Sequence, residues 1–595
     1  MQILFLTSAH NSLSQRLLIE LTGRGHRVDI GVCASGEAML NLVALHAPDL
    51  IVAPMLKIAI PDAIWRRHVC LIVHPGIVGD RGPSSLDWAI MRGERTWGVT
   101  VLQAAAEFDA GPIWATRNFP MDSGPVPKSS LYRDQVTEAA VSAVLEAVAK
   151  FESRQFQPES LDDIRADVRG CLRPPMRQRD RAIDWSRDTA ELIIRKIRAA
   201  DSAPGVLDTL YGKSYFLYGA HEEDHLKGAP GQILAQRNGA ICRGTVDGAV
   251  WITHLKAQAE EDLCGFASLQ DAESRCESCE ADPCFAAGIK LPAVRALGAL
   301  ARRIPRSLLP IEAQGSHRTL REITYTEKNG AGYIAFDFYN GAMSTEQCRR
   351  LRDAFLFARA RPTRVIVLLG GRDFFSNGIH LNVIEAAADP AVESWRNINA
   401  INDLIHEIFN TMSHLVIAGL RGNAGAGGAM MALAADYIYA REGIVLNPHY
   451  RSMGGLYGSE YWTYTLPRRV GGAKAAALTE ECRPIGSGEA KAIGFIDDSF
   501  GASAAAFELA LADRAERLAQ GEDFWLLLRE KHERRLADER VKPLSGYRAA
   551  ELKHMHANFY GPNPDYHLAR QRFVRKGQPP RKVKELIRQP AEMCG

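Results

Sequence analysis

The chain predicts an α/β protein built of several modules: an alternating β-then-α unit, a small β-barrel, a second α/β unit and a helical tail. Three observations carry that prediction. Short β-branched runs recur through residues 1–165, each closed by glycine or proline. Residues 170–256 break into short strands cut by glycine turns, which suits a small barrel. Two later apolar runs, at residues 364–369 and 415–420, each end in glycines and lead into a helix. At 595 residues the chain is too long for one core, and its length suggests about three or four domains.

In the first unit, residues 3–6 read as a strand and residues 12–22 as a helix ended by Gly23 and Gly25. Residues 28–32 and 50–53 are further strands, the latter stopped by Pro54. Residues 69–73 form another, stopped by His74, Pro75 and Gly76, and residues 99–102 one more. This rhythm predicts a mostly parallel sheet that binds ligands at the carboxyl ends of its strands. His74 and Asp109 both fall at that edge. Taken singly, the first reads as a strand-end histidine on a backbone group and the second as a turn former.

Composition bounds the classes. The 72 basic residues nearly balance the 70 acidic ones, so a nucleic-acid partner is not expected. No apolar run approaches the ~20 residues of a membrane span. The N-terminus reads as a first strand rather than a signal peptide, which predicts a cytoplasmic protein. The eleven cysteines are then expected as reduced thiols. Cys264, Cys276, Cys279 and Cys284 cluster in a Glu-rich stretch with metal-like spacing but no histidine among them. An irregular connector is the favoured reading there, and no metal site is assigned. Arg173, Arg177, Arg179 and Arg181 read as a solvated interdomain link in preference to a polyanion site.

Further on, Phe374 to His380 follows the first glycine-ended strand, and Arg421 to Met430 follows the second. Paired strand-to-helix turns of this kind aim free backbone N–H groups at one point, where an acyl oxygen gains charge. From residue 516 the chain is helical with alternating charge and reads as a packing or assembly tail.

Two resemblances sharpen these expectations. The motifs Val73-His74-Pro75-Gly76, Arg81-Gly82-Pro83, Trp97-Gly98-Val99-Thr100 and Glu107-Phe108-Asp109-Ala110-Gly111 resemble the formyltetrahydrofolate-dependent formyltransferases. The likeness covers about the first 256 residues. It implies a Rossmann-like catalytic domain at 1–165 and an OB-like barrel at 170–256, with a connector at 257–318. It also implies a proton-handling role for His74 held by Asp109, and a pterin cradle at Met55, Leu56 and Lys57. The family's carbonyl-polarising Asn is replaced by Ile72, which argues against ordinary amine formylation.

Residues 319–515 resemble the crotonase (enoyl-CoA hydratase/isomerase) superfamily, which implies a ββα spiral that binds coenzyme A. On its motifs, the oxyanion N–H groups would come from Ile379 and Gly427. Asn340, Gly341, Ala342, Asn377 and Gly378 would hold the coenzyme. The two hydratase glutamates do not carry over, because Met430 and Tyr450 stand in their places. That leaves Tyr450 or His449 as candidate proton handler, with aromatic core packing an equal reading for Tyr450.

A formyltransferase fused to a crotonase module resembles the hydrogenase maturation factors. That likeness implies carbon monoxide synthesis from 10-formyltetrahydrofolate and coenzyme A for the iron of a NiFe hydrogenase. The large subunit or its iron-site assembly proteins would be partners. Two readings stay open beside it: an amine formyltransferase whose second module only binds coenzyme A, and a non-catalytic assembly chaperone.

Overall fold

The computed structural model describes residues 1–121, 126–162, 168–258, 288–312 and 316–576. The chain divides into two compact units. One is Met1–Asp208 with Leu217–Glu222 and Thr245–Val250; the other is Thr209–Phe216, Glu223–Gly244 and Trp251–Gly595. The expected cysteine cluster at Cys264, Cys276, Cys279 and Cys284 lies outside the described residues.

The first unit is organised by one six-stranded sheet. Its strands are β1 (Gln2–Thr7), β2 (Arg27–Val32), β3 (Leu50–Ala53), β4 (Cys70–His74), β5 (Thr96–Gln103) and β6 (Ile113–Pro120). Their order is β2-β1-β3-β4-β5-β6. The four strands β1 to β4 run parallel, as expected, while β5 and β6 join antiparallel. Alternating residues of β1 serve opposite faces. Ile3 and Phe5 pack with Leu13, Leu17 and Leu21 of the helix Ser12–Gly23, and with Ala140 and Val144 of Thr137–Ser153. Leu4 and Leu6 pack with Met39, Val43 and Ile64 on the other side. With both faces covered, the strands can be continuously apolar, and the polar chemistry is pushed to the strand ends.

The expected solvated arginine link is only half so. Arg177 and Arg179 are exposed, but Arg173 and Arg181 are buried. Arg181 donates to Asp87 Oδ1 at 3.2 Å and to the Met176 carbonyl at 3.0 Å. A buried guanidinium is tolerated only when so paired.

In the second unit, Ala240–Gly244 pairs antiparallel with Ile233–Arg237, and Lys290–Pro292 pairs with residues 254–256. Beyond residue 320 two sheets are built by one repeated step. A strand of the larger sheet ends and the chain crosses a short glycine-bearing turn. It then adds a short strand to the smaller sheet. Val365–Leu369 is followed in this way by Phe374–Ser376, Leu415–Leu420 by Asn423–Gly425, and Tyr437–Ala440 by Val445–Asn447. The long helices Thr345–Arg359 and Pro390–Phe409 cover the sheets, each started by a side-chain cap at Ser344 or Asp389. Helices Phe524–Val541, Leu544–Tyr560 and Asp565–Arg575 make the tail. No helix among the described residues is long and apolar enough to cross a membrane.

Candidate functional site

At the edge of the first sheet, His74 is the last residue of β4 and is 5 % exposed. Its Nδ1 stands 3.5 Å from Asp109 Oδ1, so the two residues singled out in the sequence do meet. Asp109 sits at a positive φ of 54° and accepts the Gly82 N–H at 3.2 Å. The sequence reading missed a third member. Asp80, almost fully buried, places Oδ2 3.0 Å from His74 Nε2, and Arg173 Nε lies 3.5 Å from its other oxygen. Gly76 is required here, since a Cβ would lie 2.4 Å from His74 Nε2 and 2.6 Å from Asp80 Oδ2. An imidazole with a carboxylate at each nitrogen can donate at both only as the imidazolium.

Ile72 lies two residues before His74 on β4, on the same face, and packs against the Leu4 side of the core. The nearby segment at Met55, Leu56 and Lys57 is pinned to the end of β1. The Met55 carbonyl accepts from Ser8 N and Thr7 Oγ1, and Lys57 N donates to Ser8 Oγ. Met55 and Leu56 are half-buried and Lys57 is exposed.

In the second unit the two glycine turns converge. A Cβ on Gly378 would lie 3.1 Å from Gly427 N, which places the Ile379 and Gly427 loops side by side. Gly427 opens the helix Gly427–Ala432, where the first N–H has no intrahelical acceptor. Neither Ile379 N nor Gly427 N donates to a protein acceptor among the described residues. Asn377 ties the expected coenzyme segment together, its N–H donating to the Gly341 carbonyl and its Nδ2 to that of Asn340. Met343 N, just beyond Ala342, donates to the Gly378 carbonyl at 2.8 Å. Asn340 and Gly341 both hold positive φ in this turn.

Tyr450 is buried, and its hydroxyl reaches two acceptors: Glu460 Oε2 at 2.7 Å and the Ser459 carbonyl at 3.1 Å. His449 is placed differently, with Nδ1 3.4 Å from Ser452 Oγ, and burial pushes its pKa down. Met430 is fully buried in the core. Glu460 is the residue sequence reasoning missed. A Cβ on Gly427 would lie 2.2 Å from Glu460 Oε1, so the carboxyl group rests on the Gly427 turn itself. Burial lifts its pKa to about 7, against the hydrogen bond from Tyr450. Burial and the Glu460 charge together push the Tyr450 phenol well above 10. The signal was present as Gly458, Ser459 and Glu460, a polar break in a stretch rich in aromatic residues.

Asp224, His225 and His317 each offer a ligand atom within 4.8 Å of the others. The two imidazoles stack face to face, 3.6 Å apart and 7° from parallel. An ion between parallel rings would stand well out of both ring planes, away from the nitrogen lone pairs, so no metal is assigned to this group.

Known protein families resemble successive parts of the chain. Residues 32–148 match the formyl transferase family, 175–266 the formyl transferase C-terminal domain, and 326–582 the enoyl-CoA hydratase/isomerase family. The chain is 46 % identical over 579 residues to the hydrogenase maturation factor HoxX of Bradyrhizobium diazoefficiens, covering 97 % of this chain and 95 % of that protein. It is 31 % identical over 230 residues to methionyl-tRNA formyltransferase of Thermotoga neapolitana, covering 38 % of this chain and 71 % of that one. HypX from Aquifex aeolicus in complex with tetrahydrofolic acid superposes with a TM-score of 0.90 at 44 % identity, covering all of both chains.

Proposed function

Because the chain belongs to the HoxX family of hydrogenase maturation factors, we propose that it makes carbon monoxide from 10-formyltetrahydrofolate, with coenzyme A as carrier. The carbon monoxide would serve as an iron ligand of a NiFe hydrogenase. The tetrahydrofolate complex of the Aquifex protein supports folate as formyl donor. The crotonase-like half, with Ile379 and Gly427 offering unengaged N–H groups, supports a thioester as the second substrate.

In the first step the thiol of coenzyme A attacks the formyl carbon, the C–N10 bond breaks and the thiol proton passes to N10, giving tetrahydrofolate and formyl-CoA. His74, bracketed by Asp80 and Asp109 at the strand end, carries that proton from sulfur to N10. A thiolate needs less help at the carbonyl than an amine, which suits Ile72 in place of an amide donor.

In the second step formyl-CoA breaks into carbon monoxide and the free thiol. The thioester oxygen sits on the Ile379 and Gly427 N–H groups. The C–H electron pair stays on carbon, and the C–S pair leaves on sulfur. Tyr450 takes the formyl proton as it passes its own to Glu460, and the proton returns to the thiolate. A carboxylate with a pKa near 7 suits this task at neutral pH, whereas a phenol held far above 10 acts as a relay and not as a free base.

The observation that carries this reading is the Tyr450–Glu460 pair, whose carboxyl group rests against Gly427. The test is to incubate the protein with 10-formyltetrahydrofolate and coenzyme A and trap carbon monoxide with deoxyhaemoglobin. Carbon monoxide that forms equally well without coenzyme A would sink the two-step scheme.

A further inference from the structure

The helical tail contributes a buried acid to the turn that carries Glu460. Glu551 lies in the helix Leu544–Tyr560 and is fully buried. Its carboxylate accepts four hydrogen bonds from one short segment. Oε2 takes Ser459 Oγ at 3.2 Å and Tyr461 N at 2.9 Å; Oε1 takes Thr463 N at 2.9 Å and Thr463 Oγ1 at 2.6 Å. Asn402 completes the cradle, its Oδ1 accepting from Glu460 N at 2.9 Å.

That segment holds an unfavourable backbone. Glu460 and Tyr461 stand in succession at φ of 65° and 58°, a left-handed conformation that non-glycine residues rarely adopt. Two such residues persist only where their surroundings over-determine them. The twist they make sends the Glu460 carboxyl back onto Gly427 and Tyr450. Glu551 is the charged group that accepts the N–H groups on the far side of the twist.

We propose that Glu551 is a positioning residue of the carbon monoxide site: it locks the 459–463 turn and, through its charge, favours Glu460 as the acceptor of the proton that Tyr450 passes on. The inference rests on the role given above to Glu460. It assigns the tail a part in the chemistry, where the sequence suggested packing or assembly.

The electrostatics agree with the geometry. Burial lifts Glu551 as well as Glu460 to a pKa of about 7, and the charge of Glu551 adds to the rise at Glu460. Each Glu551 oxygen meets a backbone N–H, Tyr461 N on Oε2 and Thr463 N on Oε1, and these can only donate, so the ionised form fits it better. A proton that reaches the pair therefore goes to Glu460, and the two acids titrate as a coupled pair. The titratable groups facing Glu460 are Tyr450, Glu551 and Cys348. Those facing Glu551 include Tyr457 and Tyr461, and Arg548 on the same helix is drawn off by Asp403 at 2.7 Å.

The test follows the protonated carboxyl band by infrared difference spectroscopy in the full-length protein. The Glu460 band is identified by its loss in Glu460→Gln. In Glu551→Gln the remaining band should titrate lower by about one pH unit or more. The pH profile of carbon monoxide release from formyl-CoA should move in the same direction. Coupling is reciprocal, so Glu460→Gln must lower the Glu551 titration by a like amount. That second arm decides the matter if Glu551→Gln does not fold. A folded Glu551→Gln whose band and profile both stay in place overturns the proposal, as does an unmoved Glu551 band in Glu460→Gln. If instead the bands shift but Glu460→Gln releases carbon monoxide at the normal rate, the coupling stands and the role given to Glu460 falls.

Discussion

The hydroxyl of Tyr450 and the carboxyl of Glu460 meet at 2.7 Å with both side chains buried, beside a turn whose Gly427 N–H is unengaged. The pair sits where neither residue can exchange protons freely with water. A proton handed from one to the other stays within the site.

Removing either partner should therefore stop the second step alone. Tyr450→Phe keeps the ring that fills the pocket, and Glu460→Gln keeps the shape of the acid. Each should lower carbon monoxide release from supplied formyl-CoA by about a hundredfold or more. Consumption of 10-formyltetrahydrofolate in a single turnover should be unchanged. Wild-type release from Tyr450→Phe would leave the phenol a packing group only.

The mirror-image prediction concerns His74. His74→Ala should lower formyl transfer from folate by about a hundredfold or more, yet leave carbon monoxide release from supplied formyl-CoA intact. Asp80→Asn puts an amide where His74 Nε2 now meets a carboxylate and should slow the same step, with Asp80→Glu milder. Quenched-flow measurement of tetrahydrofolate formation separates the two. If Asp80→Asn transfers formyl at the normal rate, Asp109 alone suffices to hold the ring.

Stability should depend on pH with a definite sign. Glu460 and Glu551 both have folded pKa values of about 7, raised from an ordinary 4.5. Between those values the folded protein binds more protons than the unfolded chain, so unfolding releases them and stability falls as pH rises. This contribution is fully present below about pH 4.5 and is lost as pH passes through about 7. Across that window, melting of the wild type should drop more steeply with pH than melting of Glu460→Gln. Parallel curves for the two proteins would mean that the acids titrate alike in both states.

Much of this site was legible before any coordinates. His74 and Asp109 announce themselves because each closes a β-branched strand or opens a glycine turn, and strand ends are where a doubly covered sheet leaves polar groups free. Ile379 and Gly427 were readable for the same reason. Asp80 and Glu460 were not, because each is fixed by a turn whose twist has no periodicity. In one, Gly76 lets the chain fold back so that Asp80 reaches its own strand's histidine. In the other, successive left-handed residues at Glu460 and Tyr461 have no glycine to mark them. Glu551 was least legible of all. Its partners lie 88 to 92 positions away, and a glutamate on a charged helix reads as a solvated one.

The glycine turn gives the sharpest steric prediction. Gly427 has an ordinary backbone conformation, so alanine there is not opposed by φ. What opposes it is the Glu460 carboxyl, 2.2 Å from where the new Cβ would stand. The acid cannot simply swing away, since Tyr450 and Ser459 N hold its Oε2 and Asn402 holds its backbone. Gly427→Ala should therefore push Glu460 off the Gly427 turn and part it from Tyr450. Overpacking of this kind costs about 1–3 kcal/mol, so the variant should fold with a melting temperature lower by a few degrees. Carbon monoxide release from formyl-CoA should fall at least as far as in Glu460→Gln, with formyl transfer from folate untouched. In the double variant Gly427→Ala, Glu460→Ala the clash is gone. Stability should recover while release stays low, whereas a double variant no more stable than Gly427→Ala would show that the alanine meets something other than the acid.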